Sequence, residues 1–99
     1  MPAYKLSRKA DNDLKTVYHY SFKNFGEAQA NAYTAELLAC FRLLAEQPRL
    51  GHIRPGKSEE LRTFFHGSHI IAYRITDAGP LIQRILDGRR DWQRILRRI

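Results

Sequence analysis

The sequence predicts one α+β domain, laid out as an N-terminal strand, an antiparallel helix hairpin, a three-stranded antiparallel meander and a short C-terminal helix. Three observations carry this. Apolar residues recur at helical spacing twice between Ala10 and Ala45, the stretch from Leu61 to Leu86 breaks into three strand-like runs, and helical spacing returns after Gly88. The 99 residues, 43% of them hydrophobic, suffice for a small core in a single domain covering 1–99.

Ala3-Tyr4-Lys5-Leu6 alternates as a short strand does, and Ser7 then offers a side-chain oxygen to cap a helix. Ala10, Leu14, Val17, Tyr18, Phe22 and Phe25 form one stripe on that helix, which stops at Gly26. A second helix follows at once, with Ala30, Tyr33, Leu37, Leu38, Phe41, Leu44 and Ala45 in register and Pro48 as its stop. So short a joint makes the pair antiparallel. Among Tyr18, Tyr20, Phe22 and Tyr33, most have the spacing of core residues rather than of an exposed aromatic surface.

Residues 48–60 (PRLGHIRPGKSEE) mix prolines, glycines and charges and read as a surface connection. Leu61 to Phe65 (LRTFF) is the first run of the meander, and His66-Gly67-Ser68 turns it, Gly67 supplying the positive φ a tight turn needs. His69 to Ile75 (HIIAYRI) is the second, Asp77-Ala78-Gly79-Pro80 the next turn, and Leu81 to Leu86 (LIQRIL) the third. The central run sets Ile71, Tyr73 and Ile75 on one face against Ile70, Ala72 and Arg74 on the other. Both faces are therefore partly apolar, and since the helix hairpin can cover only one, the terminal helix or another chain must cover the rest. After Gly88, Trp92, Ile95, Leu96 and Ile99 share a helical face while Arg89, Arg90, Arg94, Arg97 and Arg98 crowd the remainder.

The formal charge of +7 lies mostly in the second half, where residues 51–99 carry 10 basic and 5 acidic side chains, against 7 and 5 in residues 1–50. Nine of those ten are arginine, the side chain suited to bidentate contacts with carboxylate or phosphate, so an acidic protein or a nucleic acid is the expected kind of partner. A helix-turn-helix reading fails on the second helix, whose only basic residue is Arg42 against Glu27, Glu36 and Glu46. The single Cys40 forms no internal disulfide, and neither a signal peptide nor a spanning segment is indicated, so a cytoplasmic protein without membrane contact is expected.

No Gly-rich phosphate loop, Gly-x-Ser-x-Gly elbow or Cys-x-x-Cys occurs, and no cofactor is expected. His66-x-x-His69 spans a turn without further ligands, so no metal site is assigned. Glu59-Glu60 are adjacent and point apart, as loop residues do. Arg62, Arg74 and Arg84 sit one on each run of the meander, and Arg62 and Arg74, on neighbouring strands, suggest a shared basic face.

The order of these elements, the Pro48-x-x-Gly51 linker, Leu61-Arg62, the His66-Gly67 turn leading to Tyr73-Arg74-Ile75, and the exit Arg84-Ile85-Leu86-Asp87-Gly88-Arg89-Arg90-Asp91-Trp92 together resemble the ParE branch of the RelE/ParE toxin superfamily. The resemblance runs from Tyr4 to Trp92, with Asp87 standing where many members have His. It implies the toxin of a bacterial type II toxin–antitoxin module, neutralised by a ParD-like antitoxin protein and capable of higher-order toxin–antitoxin complexes. The target implied for the ParE branch is DNA gyrase, or DNA held by gyrase; the alternative is the ribosome-dependent mRNA cleavage of the RelE branch. Residues 92–99 hold neither the Tyr nor the His that ribonucleolytic relatives typically place there for proton transfer, which favours gyrase and leaves no residue in a catalytic role. On this reading Arg84, Arg89, Arg90, Asp91 and Trp92 bind the target, and an apolar strip with arginines at its edges, Arg62, Phe64, Tyr73 and Arg74, binds the antitoxin.

Overall fold

In the computed structural model, which describes residues 3–55 and 60–99, Ser7 joins the first strand to the first helix as expected. Its hydroxyl accepts from the Ala10 amide at 3.0 Å and donates to the Gln83 carbonyl at 2.9 Å, so one side chain both caps the helix and ties it to the sheet. The elements are β1 (Lys5–Leu6), α1 (Arg8–Phe25), α2 (Glu27–Glu46), β2 (His52–Ile53), β3 (Leu61–His66), β4 (His69–Thr76), β5 (Gly79–Asp87) and α3 (Trp92–Leu96). They form a five-stranded sheet in the order β1-β5-β4-β3-β2, in which β3, β4 and β5 are the antiparallel meander and β1 adds parallel to β5.

Four expectations on element limits change. The first strand is only Lys5–Leu6. The connection after α2 contains β2, a two-residue edge strand whose His52 and Ile53 pair with Thr63 and Arg62; residues 56–59 of that connection, Glu59 included, lie outside the described residues. The β4–β5 turn is Asp77-Ala78 alone, because Gly79 and Pro80 already pair with Thr76 and Ile75. The terminal helix shrinks to Trp92–Leu96, since the chain first turns through an Arg90 amide to Asp87 carbonyl bond and starts the helix only at Asp91, whose carboxylate accepts from the Arg94 amide. The β3–β4 turn is as read, with His66 opposite His69 and Gly67 at φ 55°.

On one face of the sheet Leu37, Phe41 and Leu44 of α2 and Ala10 and Val17 of α1 meet Ile71, Tyr73, Ile82 and Ile85. A bulge makes this possible: Ala72 pairs with Arg84 but Tyr73 with Ile82, so Gln83 is an extra residue and two isoleucines three apart both face the helices. On the other face Leu96 of α3, with Trp92 and Ile95, covers Leu61, Ala72 and Leu86. The chain thus covers its own second face here.

The aromatic stripe of α1 corrects the core reading at its far end. Tyr20, Phe22 and Phe25 are about half exposed or more, at 49%, 47% and 65%, because the tip of the helix hairpin, residues 22–29, is exposed throughout. Helical spacing specifies a face, and only the part of that face lying over the sheet is buried.

Candidate binding surface

The basic exit begins inside the sheet. Arg84 donates from Nε and Nη2 to the two carboxylate oxygens of Asp13 on α1, at 2.8 and 3.1 Å, and Asp13 Oδ2 also accepts from the Ile85 amide at 2.9 Å. The carboxylate therefore closes a backbone donor of β5 and holds an arginine in a bidentate pair; this hydrogen bonding pushes the Arg84 guanidinium further up from its ordinary value. Of the five residues expected to bind a target, Arg84 is held in an ion pair with a neighbouring element and is mostly buried.

Past β5, Asp87 organises the turn. Its Oδ1 accepts from the amide and Nε of Arg89 at 2.9 and 3.0 Å, and its Oδ2 from Nη2 at 2.9 Å. Those side-chain and backbone bonds hold the Asp87 carboxyl down at about 2, and they push Arg89 up. Arg89 projects over the Tyr20 ring, its guanidinium carbon 5.9 Å from the centroid. Arg90 is exposed beside it, and Asp91 is the helix cap rather than a free carboxylate. Trp92 is half-buried, edge-on to Phe65 at 5.6 Å with Arg54 stacked 4.9 Å from its centroid. Trp92 thus anchors the exit to the sheet while Arg89 and Arg90 face outward.

The four residues expected to form an antitoxin strip do not share a surface. Tyr73 has no exposed area: its hydroxyl donates to the Pro48 carbonyl at 2.6 Å and accepts from the Gly51 amide at 2.8 Å, and burial pushes its pKa up. Arg62 is buried too, donating to the carbonyls of Arg49 and Gly51 at 3.1 and 2.9 Å and pairing with Glu60. Together they clamp residues 48–51, and a Cβ on Gly51 would stand 2.6 Å from the Tyr73 hydroxyl. The Pro48-x-x-Gly51 spacing is therefore a docking motif for the chain itself. The shared basic face of Arg62 and Arg74 is also corrected: Arg62 lies opposite Tyr73 and Arg74 opposite Leu61, so register sends them to opposite faces. Arg74 lies beside Gln83, whose amide oxygen, turned toward it, accepts from Nε at 2.9 Å. Phe64 packs on the main core and, with Leu50, His52 and Phe65, lines a hollow of about 300 Å³ beside the β2 edge.

Register also gathers a polar row the sequence reading passed over. His66, His69 and Asp87 stand opposite one another on three successive strands, and α2 meets them with Tyr33, 2.6 Å from His69 Nδ1, and Glu36, 2.8 Å from His66 Nε2. Burial holds the His69 pKa below 6.5. The turn at Gly67 was the available signal, since it makes the two histidines a cross-strand pair. Among the described residues no group of three or more His, Cys, Asp or Glu side chains could hold a metal ion, and no helix is long and apolar enough to cross a membrane.

With this geometry in hand, comparison with known proteins is specific. The family model for the ParE toxin of type II toxin–antitoxin systems matches residues 4–92. Toxin ParE1 of Caulobacter vibrioides is 36% identical over 75 residues, covering 76% of this chain and 78% of its own. Toxin ParE1 of Mycobacterium tuberculosis is 34% identical over 98 residues, covering 94% and 96%. A solved structure of the chromosomal ParDE TA system from P. aeruginosa superposes with a TM-score of 0.72 over 88% of this chain and 96% of that one, at 22% identity, which supports the fold alone. The ordered elements, the exit motif and these matches agree, and the chain belongs to the ParE toxin family of type II toxin–antitoxin systems.

Proposed function

We propose that this toxin inhibits growth by acting on DNA gyrase and that a ParD-like antitoxin protein neutralises it. The observation that carries the target reading is the exit after β5: Arg89 and Arg90 are exposed on a turn fixed by Asp87 and anchored by Trp92, a rigid cationic projection suited to an acidic protein surface or to DNA held by the enzyme. The antitoxin reading is supported by the family itself, described as the ParE toxin of a type II toxin–antitoxin system, parDE. A ribonuclease needs a group free to take the 2′-hydroxyl proton, and the residues after Asp91 supply none, while His69 is engaged by Tyr33.

The test sets a gyrase supercoiling assay beside toeprinting on translating ribosomes. Blocked supercoiling with intact mRNA is expected; mRNA cuts with normal supercoiling would move the chain to the ribonuclease branch. For the antitoxin, co-purification with the product of an adjoining reading frame and a marked rise in melting temperature are expected, because a partner that binds only the folded state stabilises it by mass action. Equal stability with and without that product would remove the antitoxin reading.

A further inference from the structure

Asp87 stands between two side chains that can both lay claim to it. On β5 it is the direct cross-strand neighbour of His69, which puts the two Cβ atoms about 4.5–5.5 Å apart. In the turn that follows, its oxygens accept from the amide, Nε and Nη2 of Arg89. The β3–β4 turn also grips the root of the exit: the Gly88 amide donates to the Ser68 carbonyl at 2.7 Å, and a Cβ on Gly88 would stand 3.1 Å from that oxygen. His69 thus sits where the exit is fastened, and histidine is the side chain that changes charge between about pH 5 and 8.

Tyr33 keeps the ring there in both charge states. Its hydroxyl lies 2.6 Å from His69 Nδ1 and 3.4 Å from the His66 carbonyl. A phenol has one proton. With neutral His69 that proton goes to Nδ1; with protonated His69, Nδ1 donates to the phenol oxygen and the phenol proton turns to the His66 carbonyl. What titration changes is therefore the charge presented to Asp87, not the seat of the ring.

We propose that His69 is a proton-operated latch on the cationic exit: neutral, it leaves Asp87 to Arg89 and the exit is held; protonated, it draws Asp87 to itself, repels Arg89, and the exit is released. The other groups around it do not replace this role. Asp13, in the same hollow of about 270 Å³, is committed to Arg84, and Tyr20 lies under Arg89. Glu36 is bound to His66, one strand further from Asp87, and the Ser68 hydroxyl, 3.5 Å from Nδ1, is uncharged. Arg90, exposed in that hollow, opposes a positive His69 as Arg89 and His66 do. Burial keeps His69 neutral at pH 7, so release belongs to acid conditions. The coupling is reciprocal: if protonated His69 weakens the Arg89–Asp87 pair, the intact pair hinders protonation of His69. The inference rests on the proposed function only in treating the exit as the toxic element, and it adds a regulation of that element.

The experiment follows the His69 ring and the Arg89 Nε–H resonance by NMR on the purified full chain across about pH 5 to 8. Asp87, held at about 2, stays ionised over that range, so movement of Arg89 there does not come from Asp87 losing its charge. In the wild type and in His66→Gln the Arg89 resonance should move along the His69 titration curve, and in His69→Gln that movement should be lost. Arg89→Ala should shift the His69 midpoint upward. An Arg89 resonance that stays fixed while wild-type His69 titrates, one that still moves in His69→Gln, one that loses its movement in His66→Gln, or a His69 midpoint indifferent to Arg89→Ala would each overturn the latch. The wild-type comparison depends on no variant folding, and none of these readouts involves a target, so failure of the gyrase reading in a supercoiling assay leaves them standing.

Discussion

Asp13 and Arg84, 71 residues apart in the chain, join the first helix to the last strand through a bidentate pair to which the Ile85 amide adds a third donor. Both side chains are mostly buried, with 17% and 21% of their surface exposed. Asp13→Ala should cost about 2–3 kcal/mol, because it strands a guanidinium and an amide at once, whereas Asp13→Asn, which keeps an acceptor for Ile85, should cost about 1 kcal/mol less. Chemical denaturation of the two variants gives the comparison; equal losses would mean that the Ile85 backbone bond contributes nothing beyond the charged pair with Arg84.

The clamp on residues 48–51 gives a second test. Tyr73→Phe leaves the Pro48 carbonyl and the Gly51 amide without their partner and should destabilise by about 1–3 kcal/mol. Gly51→Ala should cost about 1–3 kcal/mol through overpacking against the Tyr73 ring and the Thr63 carbonyl. The double variant should lose less than the two single losses combined, since removing the hydroxyl relieves the closest contact. Strict additivity in thermal melts would show that the two residues do not touch in solution.

Asp87 should titrate near 2, seen by carbon-detected NMR, and Arg89→Ala should return it toward 3.8. Since its folded pKa lies below the unfolded one, its contribution to stability is present above about 4 and is lost as pH falls toward 2. An unshifted carboxyl would mean that the turn of the exit is not fixed by this pair.

His69 should be neutral at pH 7 and titrate below 6.5. Its folded state binds protons less readily than the unfolded chain, so stability is full above 6.5 and falls as pH drops through the lowered value. The groups facing it are Tyr33 from α2, His66 and Ser68 from the β3–β4 hairpin, and Asp87 and Arg89 from the exit, with Glu36 on His66. Comparing the pH dependence of unfolding in the wild type and in His69→Gln isolates the effect; identical slopes between pH 5 and 6.5, a window set by the ordinary His value of about 6.5, would contradict it.

What could be read from the sequence follows what periodicity and turn chemistry encode. Ser7, Gly26, Pro48 and Gly67 each mark a boundary that the chain keeps, because capping, helix termination and a positive φ depend on local residues. The extent of α3 was overread, since apolar spacing continues through Ile99 while the turn set by Asp87 delays the helix start. Cross-strand consequences were hidden: nothing local places Arg62 beside Tyr73 or His69 beside Asp87, as pairing register is decided between strands. Arg62 and Tyr73 therefore read as exposed binding residues when they hold a loop, and Asp13 drew no notice although it ties down Arg84.

The central claim is that the cationic exit, and not the sheet strip, delivers toxicity, and one measurement addresses it most directly. Arg89→Ala with Arg90→Ala is compared with the wild type for gyrase supercoiling inhibition and growth inhibition without antitoxin, with melting temperature as the control for fold. Both residues are exposed, but Arg89→Ala also removes the partner of Asp87, so a modestly lower melting temperature is expected and inhibition is compared at a temperature where both proteins are folded. The account predicts at least a tenfold loss of inhibition, equivalent to about 1.4 kcal/mol of lost contact with the target. Full inhibition by a folded double variant would contradict it.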